Sequence, residues 1–119
     1  MHIPDGFINL PISLIFFAIS ALAVGIALKG ARNQLDDKTA PLAGLTTVFI
    51  FAAQMINFPV AAGTSGHLLG GALAAILIGP YAATLSLTIV LLLQGLLFAD
   101  GGLTALGLNV FNMSLIGVW

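Results

Sequence analysis

The chain has 119 residues, of which 60% are hydrophobic and 6% are charged, and its formal net charge is -1. A soluble domain carries roughly 25% charged residues, so water could not solvate a surface of this composition. The three basic and four acidic side chains form no basic patch, which argues against nucleic acid as a partner, and the absence of cysteine excludes thiolate metal sites and disulfides.

A first membrane span is predicted over residues 8–28, where no charged side chain occurs. An apolar run of about 20 residues is long enough to cross a bilayer. The polar connector that follows, residues 29–38, contains every Lys and Arg of the chain. Because basic residues favour cytoplasmic loops, this connector is predicted to lie in the cytoplasm, with the N-terminus outside.

The remaining spans are predicted from further uncharged apolar segments, at residues 42–58, 68–78, 81–99 and 103–119. The third is short and rich in Gly and Ala, a composition that allows helices in a membrane to pack closely. The predicted fold is therefore all-α, a polytopic transmembrane helix bundle of about five spans. It forms a single domain over residues 1–119 with an N-terminal loop at residues 1–7, and it is expected to be incomplete at its C-terminus.

The only two histidines, His2 and His67, are predicted to lie on the same, outer side of the membrane. The terminal amine of Met1, the ionised amide nitrogen of His2 and the imidazole of His2 can form two fused chelate rings on one divalent metal ion. His67 can supply a fourth nitrogen, and four nitrogens in a plane suit Ni(II), Cu(II) or Co(II). The alternative is an ordinary exposed N-terminal dipeptide and a histidine that only forms hydrogen bonds at a helix end.

A metal-ligating imidazole usually donates its other N–H to an oxygen acceptor. For His67, the candidates for this supporting role are Asn57, Thr64 and Ser65. Asp100 precedes two glycines and is interpreted as the N-cap of the fifth span, with a proton relay as the alternative. Interhelical hydrogen bonding is the interpretation for the other polar side chains on apolar helices, which are Gln54, Gln94, Asn109 and Asn112.

Four stretches of the chain resemble the CbiM/NikM family: MHIPDGF at residues 1–7, FAAQMINFPV at 51–60, GTSGHL at 63–68 and LFADGG at 97–102. Members of this family are the substrate-binding membrane components of energy-coupling-factor cobalt and nickel importers. The resemblance implies that Met1 and His2 form a metal-binding N-terminal loop that is completed by His67. Because family members have about seven spans, it also implies that this chain corresponds to the N-terminal part of a longer protein.

By this resemblance, the chain is a non-enzymatic, metal-binding specificity subunit of an ATP-driven uptake transporter in the cell (inner) membrane. The implied substrate is Co²⁺ or Ni²⁺, with no organic cofactor, and cobalt would link the chain to cobalamin biosynthesis. The implied partners are a transmembrane coupling subunit, cytoplasmic ATPase subunits and a small accessory membrane protein. The sequence lacks the Gly-x-x-x-x-Gly-Lys-Ser/Thr motif of ATP-binding loops, so partners would have to supply the energy.

Two other functional classes are compatible with the residues alone. One is an intramembrane metalloenzyme that uses His2, His67 and Asp100, although a planar four-nitrogen site leaves no well-placed position for an activated water. The other is a structural membrane subunit whose histidines are incidental. The metal content of the purified protein separates this last reading from the importer subunit.

Overall fold

The computed structural model describes residues 1–61 and 64–119. In chain order the elements are α1 (Leu10–Ala31), α2 (Thr39–Met55), β1 (Phe58–Ala61), β2 (Thr64–Gly66), α3 (Gly71–Ile78), α4 (Pro80–Leu97), α5 (Leu106–Asn109) and a π-helix (Val110–Ile116). The molecule measures 42 × 30 × 23 Å along its principal axes. Its mostly helical character agrees with the prediction.

The all-α prediction is wrong at one place, because β1 and β2 form an antiparallel hairpin. Phe58 pairs with Gly66, and Pro59 pairs with Ser65. The predicted continuation of the second span to residue 58 is wrong for the same reason, since α2 ends at Met55. A residue that precedes proline is driven towards extended backbone, so Pro59 favours the strand over a longer helix.

The prediction of about five spans is not confirmed. Among the described residues, α1 with 22 residues and α4 with 18 are long and apolar enough to cross a bilayer, whereas α2 and the Leu106–Ile116 segment are shorter apolar helices. The helix α3 has eight residues and therefore a length of about 12 Å. It begins only at Gly71, not at residue 68, because Gly70 has a left-handed backbone with a φ of 80° that helix residues do not adopt.

The central helix of the bundle is α4, which packs against α1, α2, α3, α5 and the π-helix. Its buried Leu87 and Ala83 form a core cluster with Ile50 of α2. Glycine allows the closest approach between α1 and α5, because a Cβ at Gly107 would lie only 2.6 Å from the backbone nitrogen of Phe17. The tight contact of small residues is typical of helix packing inside membranes.

The burial pattern of α1 is the reverse of that in a soluble helix. Leu22 and Ile26 are 72% and 64% exposed, whereas Ser13 and Ser20 are buried. The hydroxyl of Ser20 donates to the carbonyl oxygen of Gly107 across the helix contact, with an O···O distance of 2.7 Å. Large apolar side chains outside and small or polar ones inside suit a helix that is surrounded by lipid.

The two ends of the bundle carry different features. At one end, Gln34 of the polar connector accepts a hydrogen bond through Oε1 from the backbone N–H of Ala82 in the first turn of α4. At the other end, the N-terminal residues pack against the β-hairpin and the segment that follows α4. His2 and His67 therefore lie at the end opposite the connector that holds every Lys and Arg.

Candidate metal centre

The N-terminal loop, residues 1–7, is held in a fixed register by Asn109. The side-chain Oδ1 of Asn109 accepts from the backbone N–H of Ile3 at 2.8 Å, and its Nδ2 donates to the Ile3 carbonyl oxygen at 3.1 Å. The same carbonyl accepts from the backbone N–H of Gly102 at 2.9 Å. Because Asn109 is only 2% exposed, this clamp fixes the position of the residues that precede Ile3.

Two glycines after α4 make room for the N-terminal loop. A Cβ at Gly101 would lie 2.8 Å from the Cβ of His2, and one at Gly102 would overlap the backbone nitrogen of Asp5. Asp5 in turn accepts hydrogen bonds through Oδ1 from the hydroxyl and the backbone N–H of Thr104, the latter at 2.8 Å. These hydrogen bonds from Thr104 hold the pKa of the Asp5 carboxyl below its ordinary value.

The loop brings three nitrogen-bearing groups together. The terminal amine of Met1 donates to the backbone oxygen of Ser65 and lies 3.2 Å from its hydroxyl. The imidazole rings of His2 and His67 have centroids 5.0 Å apart and are tilted by 34°. The His2 side chain is only 3% exposed. The amine and both imidazoles therefore meet at one place, although Met1 and His67 are far apart in the sequence.

Each imidazole uses one nitrogen in a hydrogen bond and leaves the other without one. His2 Nε2 lies 3.0 Å from Oε1 of Gln94, and His67 Nδ1 lies 2.8 Å from the carbonyl oxygen of Leu68. A backbone carbonyl oxygen can only accept, so the neutral His67 ring carries its proton on Nδ1 and its lone pair on Nε2. With Oε1 of Gln94 towards Nε2, the neutral His2 ring carries its lone pair on Nδ1. Both of these nitrogens are buried and have no hydrogen-bond partner among the described residues. Leaving such atoms unsatisfied costs about 1–3 kcal/mol each, so the arrangement is suited to receiving a ligand.

Burial and one carboxylate set the protonation of this site. Burial lowers the pKa of the His2 imidazole, and the nearby Asp100 carboxylate opposes this effect. The pKa of the Met1 amine is also lowered, because the effect of burial exceeds the opposing effect of the Asp100 carboxylate. His2 Nδ1 lies 3.3 Å from Asp100 Oδ1, close enough for an ion pair but without the geometry of a hydrogen bond. The net lowering favours neutral nitrogens, which are the forms that bind metals.

A polar cleft of about 270 Å³ leads to His2. Its walls carry the carboxylates of Asp5 and Asp100, and the other lining residues are Pro4, Ser65, Ala99, Gly101 and Gly102. Within residues 1–61 and 64–119, no group of three or more His, Asp or Glu side chains is arranged to hold a metal ion.

The structure brings Met1, His2 and His67 together, as the sequence predicts, but it changes the supporting residues. The acceptor at His67 Nδ1 is the Leu68 carbonyl oxygen rather than a side chain. Ser65 contacts the Met1 amine instead, and Asn57 is exposed, with no hydrogen bond to either imidazole in the part of the chain that the structure describes. The side chain of Thr64 lies outside the described residues.

Two further residues at the site have roles that the sequence did not predict, and a third, Asp100, lies beside His2 as only the alternative interpretations had it. Gln94, interpreted from the sequence as an interhelical hydrogen-bonding residue, instead contacts the N-terminal loop through His2. Asn109 likewise binds the backbone of that loop. The interpretation of Asp100 as an N-cap is wrong, because α5 begins only at Leu106, with Ala105 at its N-cap. Asp100 lies beside His2 because the chain turns sharply after α4, with Ala99 in a left-handed conformation at a φ of 53°.

Comparison with known proteins assigns the chain to a family. The family described as "Cobalt uptake substrate-specific transmembrane region" matches residues 2–119. The chain is 49% identical over 119 residues to a putative fused nickel transport protein NikMN of Archaeoglobus fulgidus, covering 100% of the chain and 39% of that protein. It is 34% identical over 119 residues to a putative cobalt transport protein CbiM of Methanococcus voltae, covering 98% of the chain and 54% of that protein.

Solved structures give the same result. The structure described as a truncated transition metal transporter superposes with a TM-score of 0.92 at 38% sequence identity, covering 99% of this chain and 55% of that one. A second transition metal transporter gives a TM-score of 0.90, also at 38% identity, covering 99% of this chain and 52% of that one. The chain thus spans about two fifths to just over half of the length of these relatives. With a match that extends over residues 2–119, the chain belongs to the CbiM family of cobalt-uptake substrate-specific transmembrane proteins.

Proposed function

We propose that the chain binds one Ni²⁺ or Co²⁺ ion as a transport substrate through four nitrogens. These are the amine of Met1, the ionised backbone amide of His2, Nδ1 of His2 and Nε2 of His67. The observation that carries the proposal is the pair of buried imidazole nitrogens without hydrogen-bond partners among the described residues, on rings whose centroids are 5.0 Å apart. They are the two nitrogens that remain after Gln94 and Leu68 have taken the others.

The proposed ligand set explains why a transition metal is the substrate. The first three nitrogens come from two consecutive residues, so they form two fused chelate rings and the entropy of assembling separate ligands is reduced. Nitrogen donors in a tetragonal plane suit Ni(II) and Cu(II), whereas Mg²⁺ and Ca²⁺ prefer oxygen ligands. The amide nitrogen binds only after it loses its proton, so metal binding should release protons. This ligand set does not discriminate between nickel and cobalt.

The transport role rests on the family and on the relatives, which are named as nickel and cobalt transport proteins. We propose a specificity subunit in the cell (inner) membrane, with the site of His2 and His67 at the outer face and the connector at residues 29–38 in the cytoplasm. A transmembrane coupling subunit and cytoplasmic ATPases would supply energy to a complete version of the chain. A small accessory membrane protein would be a further partner. Cobalt as the substrate would link the system to cobalamin biosynthesis.

Metal binding by the purified chain tests the proposal. In detergent, calorimetric or competition titrations with Ni²⁺ and Co²⁺ should give one high-affinity site per chain. His2→Ala should remove this site, and His67→Ala should weaken it by a smaller factor if water takes the fourth position. Asn57→Ala is the matched control, because this side chain is exposed and should leave the affinity unchanged. Equal affinities in the native chain and in a chain that lacks both histidines would contradict the proposal.

The division of labour with partner subunits needs a separate experiment. In liposomes, the chain alone should neither hydrolyse ATP nor accumulate Ni²⁺ or Co²⁺ against a gradient, because it has no ATP-binding motif. Measurements of phosphate release and of metal inside the vesicles check this expectation. Concentrative, ATP-dependent uptake by the chain alone would contradict the assignment of energy coupling to partners.

A further inference from the structure

We infer that Gln94 is a positioning residue for the metal centre, because its side-chain oxygen holds the His2 imidazole in the tautomer with the proton on Nε2. Only this tautomer leaves Nδ1 free to bind a metal while the ring is neutral. The consequence for metal affinity rests on the proposed function. The tautomer itself is a property of the metal-free chain and can be tested without any metal.

Burial fixes the place of the Gln94 side chain, and among the described residues its side chain has one hydrogen bond, between Oε1 and His2, because its Nε2 has no partner. Its side chain is completely buried near the end of α4, the central helix of the bundle. Oε1 lies 3.0 Å from His2 Nε2, and the backbone oxygen of Gln94 accepts from the backbone N–H groups of Phe98 and Asp100. The residue is thus fixed at the point where the chain leaves α4 and turns towards the N-terminal loop.

A second acceptor competes for the proton of His2. Asp100 Oδ1 lies 3.3 Å from Nδ1, so a proton on that nitrogen would be stabilised by a nearby carboxylate, although the two atoms are not aligned for a hydrogen bond. If the Gln94 amide were reversed, its NH₂ group would face Nε2 and would force the proton onto Nδ1, where it would block metal binding. With Oε1 towards Nε2, the same amide favours the opposite tautomer. Gln94 and Asp100 therefore act against each other through one imidazole ring.

The size of the effect follows from the behaviour of supporting residues at metal sites. Removing the oxygen that accepts from a metal-ligating imidazole commonly costs 10- to 100-fold in metal affinity. Removing the Gln94 oxygen should lower the metal affinity by a factor in this range, because the imidazole proton could then move to Nδ1, beside Asp100. A variant that keeps an oxygen at this position should retain the native tautomer.

Nitrogen NMR of the metal-free chain with ¹⁵N-labelled histidine tests the inference. The chain has two histidines, so spectra of His67→Ala identify the signals of His2. At a pH about two units above the ordinary imidazole pKa of about 6.5, the native chain should carry the His2 proton on Nε2. Gln94→Met, which removes the acceptor at similar size, should move the proton to Nδ1. Gln94→Glu should keep it on Nε2.

The matched control is Gln54→Met, since Gln54 is the other completely buried glutamine of a described helix and donates to the Leu69 carbonyl oxygen rather than to an imidazole. It should lower stability without changing the His2 tautomer. A His2 proton on Nδ1 in the native chain would overturn the inference, even if Gln94→Met does not fold. A proton that stays on Nε2 in folded Gln94→Met would overturn it too.

Metal titrations of the same variants complete the test. Ni²⁺ affinity should fall 10- to 100-fold in Gln94→Met and should recover at least in part in Gln94→Glu. An unchanged affinity in Gln94→Met would overturn the positioning role. If the native chain binds neither Ni²⁺ nor Co²⁺ while the NMR spectra follow the expected pattern, the proposed function fails and the role of Gln94 in setting the tautomer stands.

Discussion

Adding one glycine before Met1 is the perturbation that most sharply separates a chelating N-terminus from an ordinary one. The clamp on Ile3 fixes the register of the N-terminal loop, through two hydrogen bonds with Asn109 and one with Gly102. If this register is kept, the new terminal amine lies about 3.5 Å further along the chain and the nitrogen of Met1 becomes a peptide nitrogen. If the chain slips by one residue to restore the amine, the imidazole moves to third place, where the clamp holds the backbone of His2 instead of that of Ile3.

Both routes weaken metal binding by a similar amount. Four-ligand metal sites in small protein domains have apparent binding free energies of about 10–16 kcal/mol, so an equal share is about 2.5–4 kcal/mol per ligand. Slipping the register instead moves the imidazole out of the second position, so one ligand of the chelate is lost in this case too. We therefore expect Ni²⁺ affinity to fall by about 10²–10³-fold, since 1.4 kcal/mol corresponds to a factor of ten.

A protease-cleaved fusion supplies the extended chain, and competition titration with a chromogenic chelator measures its affinity for Ni²⁺. The control is the same glycine inserted after Gly6, where a side chain would meet nothing within 4 Å. This insertion leaves residues 1–5 in register and should leave the affinity close to native. If the chain with the glycine before Met1 binds Ni²⁺ as tightly as the control, amine ligation is refuted.

Three further predictions concern the loop and the topology. Asn109→Asp removes the side-chain donor of the clamp, so the N-terminal loop should become more mobile by NMR and Ni²⁺ affinity should fall; a rigid loop would count against the clamp. Thr104 holds the folded pKa of Asp5 below the unfolded value of 3.8, so its tether is present above that value and is lost as pH falls through the folded pKa. Hydrogen exchange of the loop should rise in that range, and Asp5→Asn should abolish this dependence. In intact cells, an impermeant thiol reagent should label Val60→Cys but not Asn33→Cys; the reverse pattern would invert the proposed topology.

The sequence predicts the large elements well, because long apolar runs dominate them. The bilayer-length helices α1 and α4 begin and end within about three residues of the predicted bounds, and both predicted runs are uninterrupted by charge. The shorter elements depend on local backbone features that periodicity does not show. The left-handed backbone of Gly70 shortens α3. Pro59 favours a hairpin in a stretch that is as apolar as the helix α2 before it.

At the site, the sequence identified the residues with distinctive chemistry and missed those whose roles depend on the fold. His2 and His67 stand out because the chain has only two histidines, and Met1 stands out because its terminal amine precedes His2. Gln94 and Asn109 resemble any polar residue on an apolar helix, and only the path of the N-terminal loop gives them partners. The two glycines after Asp100 could have indicated that another segment packs closely there, since they make room for the N-terminal loop.

The X-ray absorption spectrum of the purified chain with one equivalent of Ni²⁺ tests the central claim most directly. The proposed ligands should give a planar centre in which the nearest neighbours of the nickel are four nitrogens, with outer scattering from two imidazole rings. Binding should release the amide proton of His2 even at a pH where the amine and both imidazoles are already neutral. A six-coordinate centre rich in oxygen, or scattering from a single imidazole, would contradict the proposal that Met1, His2 and His67 together hold the metal.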